Sequence, residues 1–508
     1  MSSITLSMIV KNEEKYLEGC LESVKEVVEE IVIVDTGSTD RTIEIAKKYG
    51  AKIYSYAWQN DFSEARNFAL SKSTCDWILY LDADERLEMN SIKEVKKLTS
   101  SKNNTAFYCT IKSVDKENGR DNSILYPRLF SNDNRIKFTG KVHEQIIPSI
   151  KEYNINLRHS NVEIIHLGYN ISLEDKKQKA KRNLNLLLEE YKENKSAYYE
   201  YHLGVTYQIL EDDDNAIKYF ELACAGNELI KNLRAQSYSS LALIYQNQHN
   251  IEEAEKHIKK SLQLDNQQSF ANLLASKIHF RKGDYNLAAE ECRHALRLHK
   301  KPSGRNVENW QSIFVEPEEI ICFGITIALQ SNNAENYQSY TRELFKLYVG
   351  IYGAKSTMVA MVNKVFAGQS LVSSEVELLI GLINDYNKNV FLLLLENCSD
   401  KKSVLHVAEK LNSMCPNDIE NKKFLAKTYD AAGDLTNATL IMEDVEKEID
   451  SDPSIYFYLI SFYVKQGLLQ KLNYPLQQLE NKYSHIVEVK TRLDLIKQKL
   501  NLVLEKQN

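Results

Sequence analysis

The sequence predicts an α/β domain with a mainly parallel sheet, followed by an all-α domain of helical repeats. Two observations predict this order. Short β-rich runs alternate with amphipathic stretches over about the first 170 residues, as in βα units that build a parallel sheet. After about Ser196, small and aromatic residues recur in helical segments at a nearly constant spacing. Because 508 residues exceed one ordinary core, we expect a domain at 1–170, a linker helix at 171–195 and a repeat domain at 196–508.

Four short strands are predicted in the first part of the α/β domain, with a helix after each of the first three. The strands are Ile4–Val10, Ile31–Asp35, Lys52–Trp58 and Trp77–Leu81, and the helices are Glu13–Val27, Asp40–Tyr49 and Phe62–Ser71. The fourth strand runs directly into Asp82 and Asp84. Because open α/β sheets bind ligands at the carboxyl ends of their strands, we expect these two acids to take part in chemistry.

The rest of the domain is predicted to contain shorter strands that form the acceptor side of a pocket. These strands are Phe107–Val114, Ile124–Phe130, Ile136–Phe138 and Val162–Leu167. A long helix at Leu173–Lys192 then bridges to the repeats. Trp58 and Trp77 are interpreted as core residues rather than as platforms for a sugar ring.

The repeats are predicted to be tetratricopeptide-type helix pairs, because their anchor residues recur at about 34 positions. Ala216 and Ala254 lie 38 positions apart, and Ala254 and Ala288 lie 34 apart. Antiparallel helices approach closely where one presents Ala or Gly and an aromatic ring fills the neighbouring groove, so these anchors are packing residues. Residues 304–418 are helical in character without a repeat that aligns. The spacing of 34 returns near the C-terminus in Tyr429 and Tyr463 and in Gly433 and Gly467.

Composition and charge exclude several classes of protein. The formal net charge is -6 and no long basic run occurs, so we expect no nucleic-acid partner. Lys11 and Glu13 come too early for a signal peptide, and no run of about 18 apolar residues predicts a transmembrane segment. The eight cysteines are scattered without a CxxC pair, which argues against a zinc site or a disulfide framework. We therefore expect a cytoplasmic protein with reduced cysteines.

Two short motifs carry the functional signal, VDTGSTD at Val34–Asp40 and DADE at Asp82–Glu85. Each alone is also the pattern of a turn with a helix cap. Together with MIVKNE at Met8–Glu13 and DFSEARN at Asp61–Asn67, they resemble the family-two glycosyltransferases. That family has the GT-A fold, a Rossmann-like α/β domain. The resemblance covers about the first third of the chain.

The resemblance implies a nucleotide-sugar donor, of the uridine type, at the end of the first strand. The first strand end and Asp35 would hold the base and ribose, and Arg66 would support their binding. A nucleotide diphosphate leaves with developing negative charge, which a divalent cation neutralises. Two carboxylates at a strand end suit manganese or magnesium. The expected nucleotide-sugar site is Val10, Asn12, Glu13, Asp35, Arg66 and Asp82, and the expected metal ligands are Asp82, Asp84 and His166.

Several of these assignments have alternatives. Glu13 begins a predicted helix, where an acid also serves as a simple cap. His166 ends a predicted strand, where a histidine is also a common structural residue. An inverting transfer needs a base that deprotonates the acceptor, and Glu144 in GKVHEQ is the candidate. The Glu-Asp pair usual in the family is absent here, so His143 is the alternative base or a diphosphate contact. Arg128 in YPRLF faces either the acceptor or the diphosphate in this interpretation.

The combination of such a domain with tetratricopeptide repeats resembles bacterial enzymes that glycosylate peptides or proteins in the cytoplasm. Examples are bacterial peptide S-glycosyltransferases and flagellin glycosyltransferases. The resemblance implies a polypeptide acceptor, because repeat arrays present a long concave face to extended peptides. The array is also a candidate surface for a homodimer. Two alternatives stay open, namely an enzyme that acts on a surface polysaccharide or glycolipid precursor, and a binding scaffold whose N-terminal domain is inactive.

Overall fold

The computed structural model describes residues 2–100, 104–115, 120–167, 173–226, 228–300, 315–449, 452–484 and 487–505. The chain forms two compact units, Met1–Ile320 and Ile321–Asn508, which are described separately. The expected boundary at residue 170 lies outside the described residues, and so does 304–314 of the segment expected to lack a repeat. Within the described part of the chain, no helix has the length and apolar character needed to cross a membrane.

In its described residues, the first unit contains one eight-stranded sheet with five helices around it. The strands are β1 (Ile4–Val10), β2 (Glu30–Asp35), β3 (Lys52–Ser55), β4 (Trp77–Tyr80), β5 (Glu85–Leu87), β6 (Thr105–Asp115), β7 (Arg120–Ser131) and β8 (Asn156–His166). The helices are α1 (Leu17–Val24), α2 (Thr42–Lys48), α3 (Phe62–Lys72), α4 (Ser91–Leu98) and α5 (Ile147–Glu152). The strand order is β3-β2-β1-β4-β7-β6-β8-β5.

The sheet is mixed, and its parallel part is the N-terminal part. Strands β3, β2, β1 and β4 are parallel neighbours, as the alternating strand and helix pattern predicts. Of the seven strand pairings, four are parallel and three are antiparallel. Apolar side chains from β1 and α1 form one core, which includes Leu6, Met8 and Leu21. A second core forms around Ile78, Phe130 and related side chains.

One predicted strand is wrong, and three elements were not expected. Ile136–Phe138 lies in a segment without strand pairing. Its apolar residues are buried, and the backbone of Phe138 bonds to the side-chain amide of Asn67 in both directions, at 2.8 and 2.9 Å. The alternation of apolar residues therefore reflects a buried loop rather than a strand that pairs with the sheet. The short elements β5, α4 and α5 were not predicted, and α1 begins at Leu17 because Glu13–Tyr16 forms a turn.

The part of the first unit that follows the sheet has seven further helices in its described residues, and consecutive helices pack against each other. They are α6 (Leu173–Glu193), α7 (Ala197–Ile209), α8 (Asp213–Ala225), α9 (Lys231–Asn247), α10 (Ile251–Leu264), α11 (Ser269–Arg281) and α12 (Tyr285–Lys300). Gly204 on α7 faces Phe220 on α8, and a Cβ atom at Gly204 would lie 2.7 Å from the Phe220 ring. The small anchors of the repeat are therefore sites of close helix contact, as predicted.

The second unit is helical in its described residues. Its helices are α13 (Pro317–Gln330), α14 (Ala334–Tyr352), α15 (Thr357–Phe366), α16 (Ser373–Leu382), α17 (Lys388–Glu396), α18 (Lys401–Met414), α19 (Ile419–Ala432), α20 (Leu435–Glu448), α21 (Pro453–Gln466), α22 (Asn473–Tyr483) and α23 (Val487–Glu505), with a 3-10 turn at Leu469–Lys471. α13 begins at the end of the first unit.

The spacing of 34 near the C-terminus has a structural cause. Gly433 and Gly467 end α19 and α21 with φ of 87° and 72°, a left-handed conformation that glycine adopts at low cost. The hydroxyls of Tyr429 and Tyr463 each donate to a glutamate on the preceding helix, at 2.8 and 2.7 Å. These residues are structural, as predicted.

Candidate active site

The expected nucleotide site begins where β1 and β2 end side by side. Val10 and Asp35 are register partners in the parallel pair. The Asp35 carboxylate accepts hydrogen bonds from the backbone N–H groups of Gly37 and Ser38, at 3.2 and 3.1 Å. The Val10 carbonyl accepts from the Thr36 backbone N–H at 3.0 Å. The VDTGSTD motif thus forms a tight turn that holds the Asp35 carboxylate at the sheet edge.

Asn12 and Glu13 connect the loops that follow β1 and β2. The Asn12 side-chain oxygen accepts from the Thr39 backbone N–H at 2.8 Å, and the Asn12 backbone N–H donates to the Ser38 hydroxyl at 3.0 Å. The Glu13 backbone N–H donates to the Thr42 hydroxyl at 2.7 Å. Asn12 has a positive φ of 57°, which asparagine tolerates better than most residues. The two loops are therefore fixed against each other.

Arg66 joins two of the other expected site residues. Its Nη2 lies 2.8 Å from Asp82 Oδ1, and its Nε lies 2.6 Å from Glu144 Oε1. The guanidinium also lies over the ring of Tyr80, 5.2 Å from its centroid. Burial alone would raise the pKa of Asp82, but the charges of Arg66 and Arg128 outweigh it and lower that pKa. Asp82 is therefore ionised.

Asp84 and His166 meet at the junction of β5 and β8. Glu85 is the register partner of His166 in this antiparallel pair, and the Leu167 backbone N–H donates to the Asp84 carbonyl at 2.9 Å. His166 Nε2 lies 3.2 Å from Asp84 Oδ2. Burial acts to lower the pKa of His166, but the hydrogen bond and charge of Asp84 raise it overall. The structure therefore brings the side chains of Asp84 and His166 into contact.

Negative charge accumulates around Glu13. Burial, followed by repulsion from Asp84 and Asp82, raises the pKa of Glu13 to about 7. A divalent cation would relieve this repulsion, and carboxylate and imidazole are suitable ligands for manganese. The residues that would hold it are Asp82, Asp84 and His166. Within the described residues, no three acidic, histidine or cysteine side chains are already gathered around one point, because Asp82 faces Arg66 while Asp84 faces His166.

The pairing of Arg128 with Glu85 was not anticipated from the sequence. Arg128 Nη2 lies 2.7 Å from Glu85 Oε1 and 3.7 Å from Asp82 Oδ2, and its guanidinium lies 4.2 Å from the Tyr80 ring centroid. Both partners are buried, with side-chain exposures of 8% and 2%. The Arg128 Nε and Nη1 atoms have no hydrogen-bond partner among the described residues. Burial raises the pKa of Glu85, and Arg128 opposes that shift.

Glu144 lies on a short loop whose two ends are hydrogen-bonded to each other. Reciprocal backbone hydrogen bonds of 3.0 Å join Thr139 and Gln145. The Tyr126 hydroxyl donates to the Glu144 carbonyl at 3.0 Å, so the sheet holds the backbone of Glu144 from one side. The neighbouring His143 has a positive φ of 55°. The structure therefore brings Glu144 to Arg66 and Asp82, while the ring of His143 stacks on His202 of α7.

Comparison with known protein families identifies the family that the sheet domain resembles. Residues 5–149 match the family described as glycosyl transferase family 2. The N-terminal domain belongs to glycosyl transferase family 2. Two tetratricopeptide repeat families match residues 198–225 and 234–264, which correspond to α7–α8 and α9–α10. The predicted resemblance of a family 2 domain followed by tetratricopeptide repeats is confirmed.

Two known proteins are similar in sequence to part of this chain. The SPbeta prophage-derived glycosyltransferase SunS of Bacillus subtilis (strain 168) is 32% identical over 229 residues, which cover 43% of this chain and 52% of the relative. A TPR repeat-containing protein of Synechococcus elongatus is 39% identical over 150 residues, which cover 30% of this chain and 37% of the relative. The chain therefore spans about half or less of these relatives. The crystal structure of S. aureus TarS 1-349 superposes loosely, with a TM-score of 0.30 and 15% identity over 52% of this chain and 92% of that one.

Proposed function

We propose that this protein is a divalent-metal-dependent, inverting glycosyltransferase that moves a sugar from a uridine-type nucleotide sugar to a polypeptide in the cytoplasm. One observation carries the proposal. Arg66 bridges Asp82 and Glu144, beside the Asp84–His166 pair, at the carboxyl edge of a family 2 sheet. A concentration of interacting charged groups of this kind is typical of catalytic sites.

The donor is proposed to lie across the ends of β1, β2 and β4. Asp35, at the end of β2, takes the base and ribose, together with the turn after Val10. β1 lies between β2 and β4, so Asp35 and Asp82 are separated by about two strand spacings, or ~10 Å. That separation suits a nucleotide with its base at Asp35 and its diphosphate at Asp82. Asn12 and Glu13 shape this edge through the loop contacts of their backbone and side chains.

Asp82, Asp84 and His166 are proposed to hold manganese or magnesium at the diphosphate. When bound, such a cation neutralises charge on the leaving nucleotide diphosphate. Arg66 keeps the Asp82 carboxylate ionised and oriented through its 2.8 Å contact. The 3.2 Å contact with Asp84 orients the His166 ring, which binds a cation in its neutral form. These residues thus form the leaving-group side of the site.

Glu144 is proposed as the base that receives the acceptor proton. As the acceptor atom bonds to the anomeric carbon, the bond from that carbon to the diphosphate oxygen breaks, with inversion. Arg66 orients the Glu144 carboxylate at 2.6 Å. His143 is less suited, because one face of its ring is covered by His202, with the two ring centroids 4.0 Å apart.

The acceptor is proposed to dock on the repeats, with residues 1–170 as the catalytic domain, 171–195 as a linker helix and 196–508 as the repeat domain. Helical repeats present extended surfaces that suit peptides, and the same array is the proposed surface for a homodimer. A polysaccharide or glycolipid acceptor is the alternative outcome. Comparing glycopeptides by mass spectrometry in cells with and without this protein tests the choice, because a polypeptide acceptor yields hexose-shifted peptides only with the protein present.

Calorimetry and turnover assays on variants test the donor chemistry. We expect Asp84→Asn to lose the manganese-dependent part of uridine diphosphate binding. Glu144→Gln should bind uridine diphosphate normally but transfer sugar about 10²- to 10⁴-fold more slowly, because the loss is confined to proton transfer. Glu44→Gln is the matched control, since Glu44 is an exposed acid paired with Arg41 on α2.

Three results would contradict the proposal or a part of it. Manganese-dependent binding that survives in Asp84→Asn would remove the metal role of Asp84. Full turnover by Glu144→Gln would assign the base to another residue. If the unmodified protein neither binds uridine diphosphate nor turns over any uridine nucleotide sugar, the enzymatic proposal itself fails.

A further inference from the structure

We infer that helix α7, the first helix of the repeat array, positions the loop that carries Glu144. This loop, residues 139–146, is called the base loop below. The inference rests on the proposed function, because it assigns Glu144 a role in transfer. It makes Tyr198 on α7 a positioning residue, so that the repeat array completes the active site in addition to any role in acceptor docking.

Tyr198 holds the base loop on both sides of Glu144. Its hydroxyl donates to the His143 carbonyl at 3.1 Å and accepts from the Gln145 side-chain amide at 2.5 Å. The two residues that flank the proposed base are thus bonded to one side chain of α7. A displacement of the loop backbone at His143 would stretch the bond from the Tyr198 hydroxyl to the His143 carbonyl.

Ring contacts add a second attachment. The ring of His143 stacks on that of His202, one turn beyond Tyr198, with centroids 4.0 Å apart and planes at 16°. Burial lowers the pKa of both histidines, that of His143 to about 4, so the rings are uncharged and stack without repulsion. His143 has a left-handed φ of 55°, which is unfavourable for a histidine and persists only when surrounding contacts hold it.

The start of the base loop is packed against the same helix. Gly140 has a φ of +98°, and a Cβ atom there would lie 3.0 Å from the Tyr199 hydroxyl. Val142 is buried in an apolar cluster with Tyr199 and Leu203 of α7. A side chain at Gly140 would be strained by this φ and would require the Tyr199 hydroxyl to shift by a few tenths of an ångström, so the loop and the helix approach closely here.

The base loop is therefore held between the sheet and the repeat array. From the sheet side, Tyr126 donates to the Glu144 carbonyl and Arg66 contacts its carboxylate. From the array side, Tyr198 and His202 fix its neighbours. Because a displacement of about 1 Å at a reacting group costs on the order of 10²-fold in rate, loosening the α7 side should slow transfer without removing any group that touches the substrate.

The test compares Tyr198→Phe with Tyr201→Phe in the full-length protein. Tyr201 lies on the same helix, and its hydroxyl donates to Gln236 on α9 at 2.8 Å, away from the base loop. Each variant loses one hydroxyl from α7, so the two should show similar melting temperatures. We expect Tyr198→Phe to lower kcat by about 10- to 100-fold with an unchanged KM for the donor, and Tyr201→Phe to retain the kcat of the unmodified protein.

Hydrogen exchange provides a second measurement that does not depend on turnover. Peptides that cover residues 139–146 should exchange faster in Tyr198→Phe than in Tyr201→Phe. Equal exchange in the two variants, or equal kcat, would overturn the inference. If the unmodified protein shows no turnover, the proposed function fails, and faster exchange in Tyr198→Phe would then leave α7 with a purely structural hold on the loop.

Discussion

At the scale of single residues, the site depends on a chain of charges that crosses the sheet edge. Glu144, Arg66, Asp82, Arg128 and Glu85 follow one another as alternating acids and bases. The first three were expected at the site from motifs. Nothing in the local sequence indicates that Glu85 and Arg128 pair, because they are 43 positions apart and meet only through the fold. Buried charges of this kind are stable only in each other's presence.

Removing one member of the buried pair should therefore destabilise the first unit. We expect Arg128→Met to lower the free energy of unfolding by about 3–5 kcal/mol, because it leaves the Glu85 carboxylate buried without its partner. The double variant Arg128→Met/Glu85→Gln should recover a large part of the loss. Urea denaturation followed by tryptophan fluorescence measures both. Arg135→Met is the control, because the Arg135–Asp133 pair is more exposed and such pairs contribute about 1 kcal/mol or less.

If Arg128→Met and Arg135→Met change the unfolding free energy equally, Glu85 does not depend on Arg128. A double variant that is less stable than Arg128→Met would point to a different role for Glu85, such as its acceptance of the Asp82 backbone N–H at 2.9 Å.

At the scale of helices and strands, burial and tertiary contacts determine which structure a local sequence pattern adopts. Ile136–Phe138 has the alternation of a strand, but it packs as a loop because its backbone bonds to Asn67. The repeat anchors were predicted correctly, because a small residue that faces an aromatic ring indicates close packing in any pair of helices. Gly324 on α13 faces the Tyr340 ring in the same way as Gly204 faces Phe220. A Cβ atom at Gly324 would lie 2.5 Å from the Tyr340 ring.

Alanine substitutions at two glycines of the second unit should therefore have opposite effects. Gly324→Ala should lower the free energy of unfolding by about 1–3 kcal/mol, because the added Cβ overlaps the buried Tyr340 ring. Gly350→Ala should raise it by up to about 1 kcal/mol, because nothing lies within 4 Å of its Cβ position and alanine favours helix. Thermal unfolding followed by circular dichroism measures both. A neutral Gly324→Ala would mean that α13 and α14 separate at little cost.

At the scale of the whole molecule, the first helices of the repeat array contact the proposed active site. The first compact unit contains the family 2 domain and the helices α7 to α12. Within it, α7 contacts the loop of the proposed base through Tyr198 and His202. The first repeat helix, α7, is thus proposed to position the catalytic base, and the repeats of the second unit are proposed to bind the acceptor.

Two truncated chains should separate these roles. A chain that ends at Ile320 retains the contacts of the first unit, and we expect it to hydrolyse the nucleotide sugar at a rate close to that of the full chain. A chain that ends at Lys195 lacks α7, so we expect hydrolysis to fall by at least about 10-fold. Both should still bind uridine diphosphate, which provides the check on folding. Equal hydrolysis by the two chains would contradict a role for α7 in the active site.

The sequence by itself determined the order of the two architectures, the four parallel strands of the N-terminal sheet, and the family of the first domain. Those features depend on local periodicity and on motifs whose residues are close in the chain. The meeting of Glu144 with Arg66 across 78 positions, the buried Arg128–Glu85 pair and the hold of α7 on the base loop were decided by the tertiary structure alone. They join residues that are distant in sequence, and such contacts exist only after the sheet and the helices have packed together.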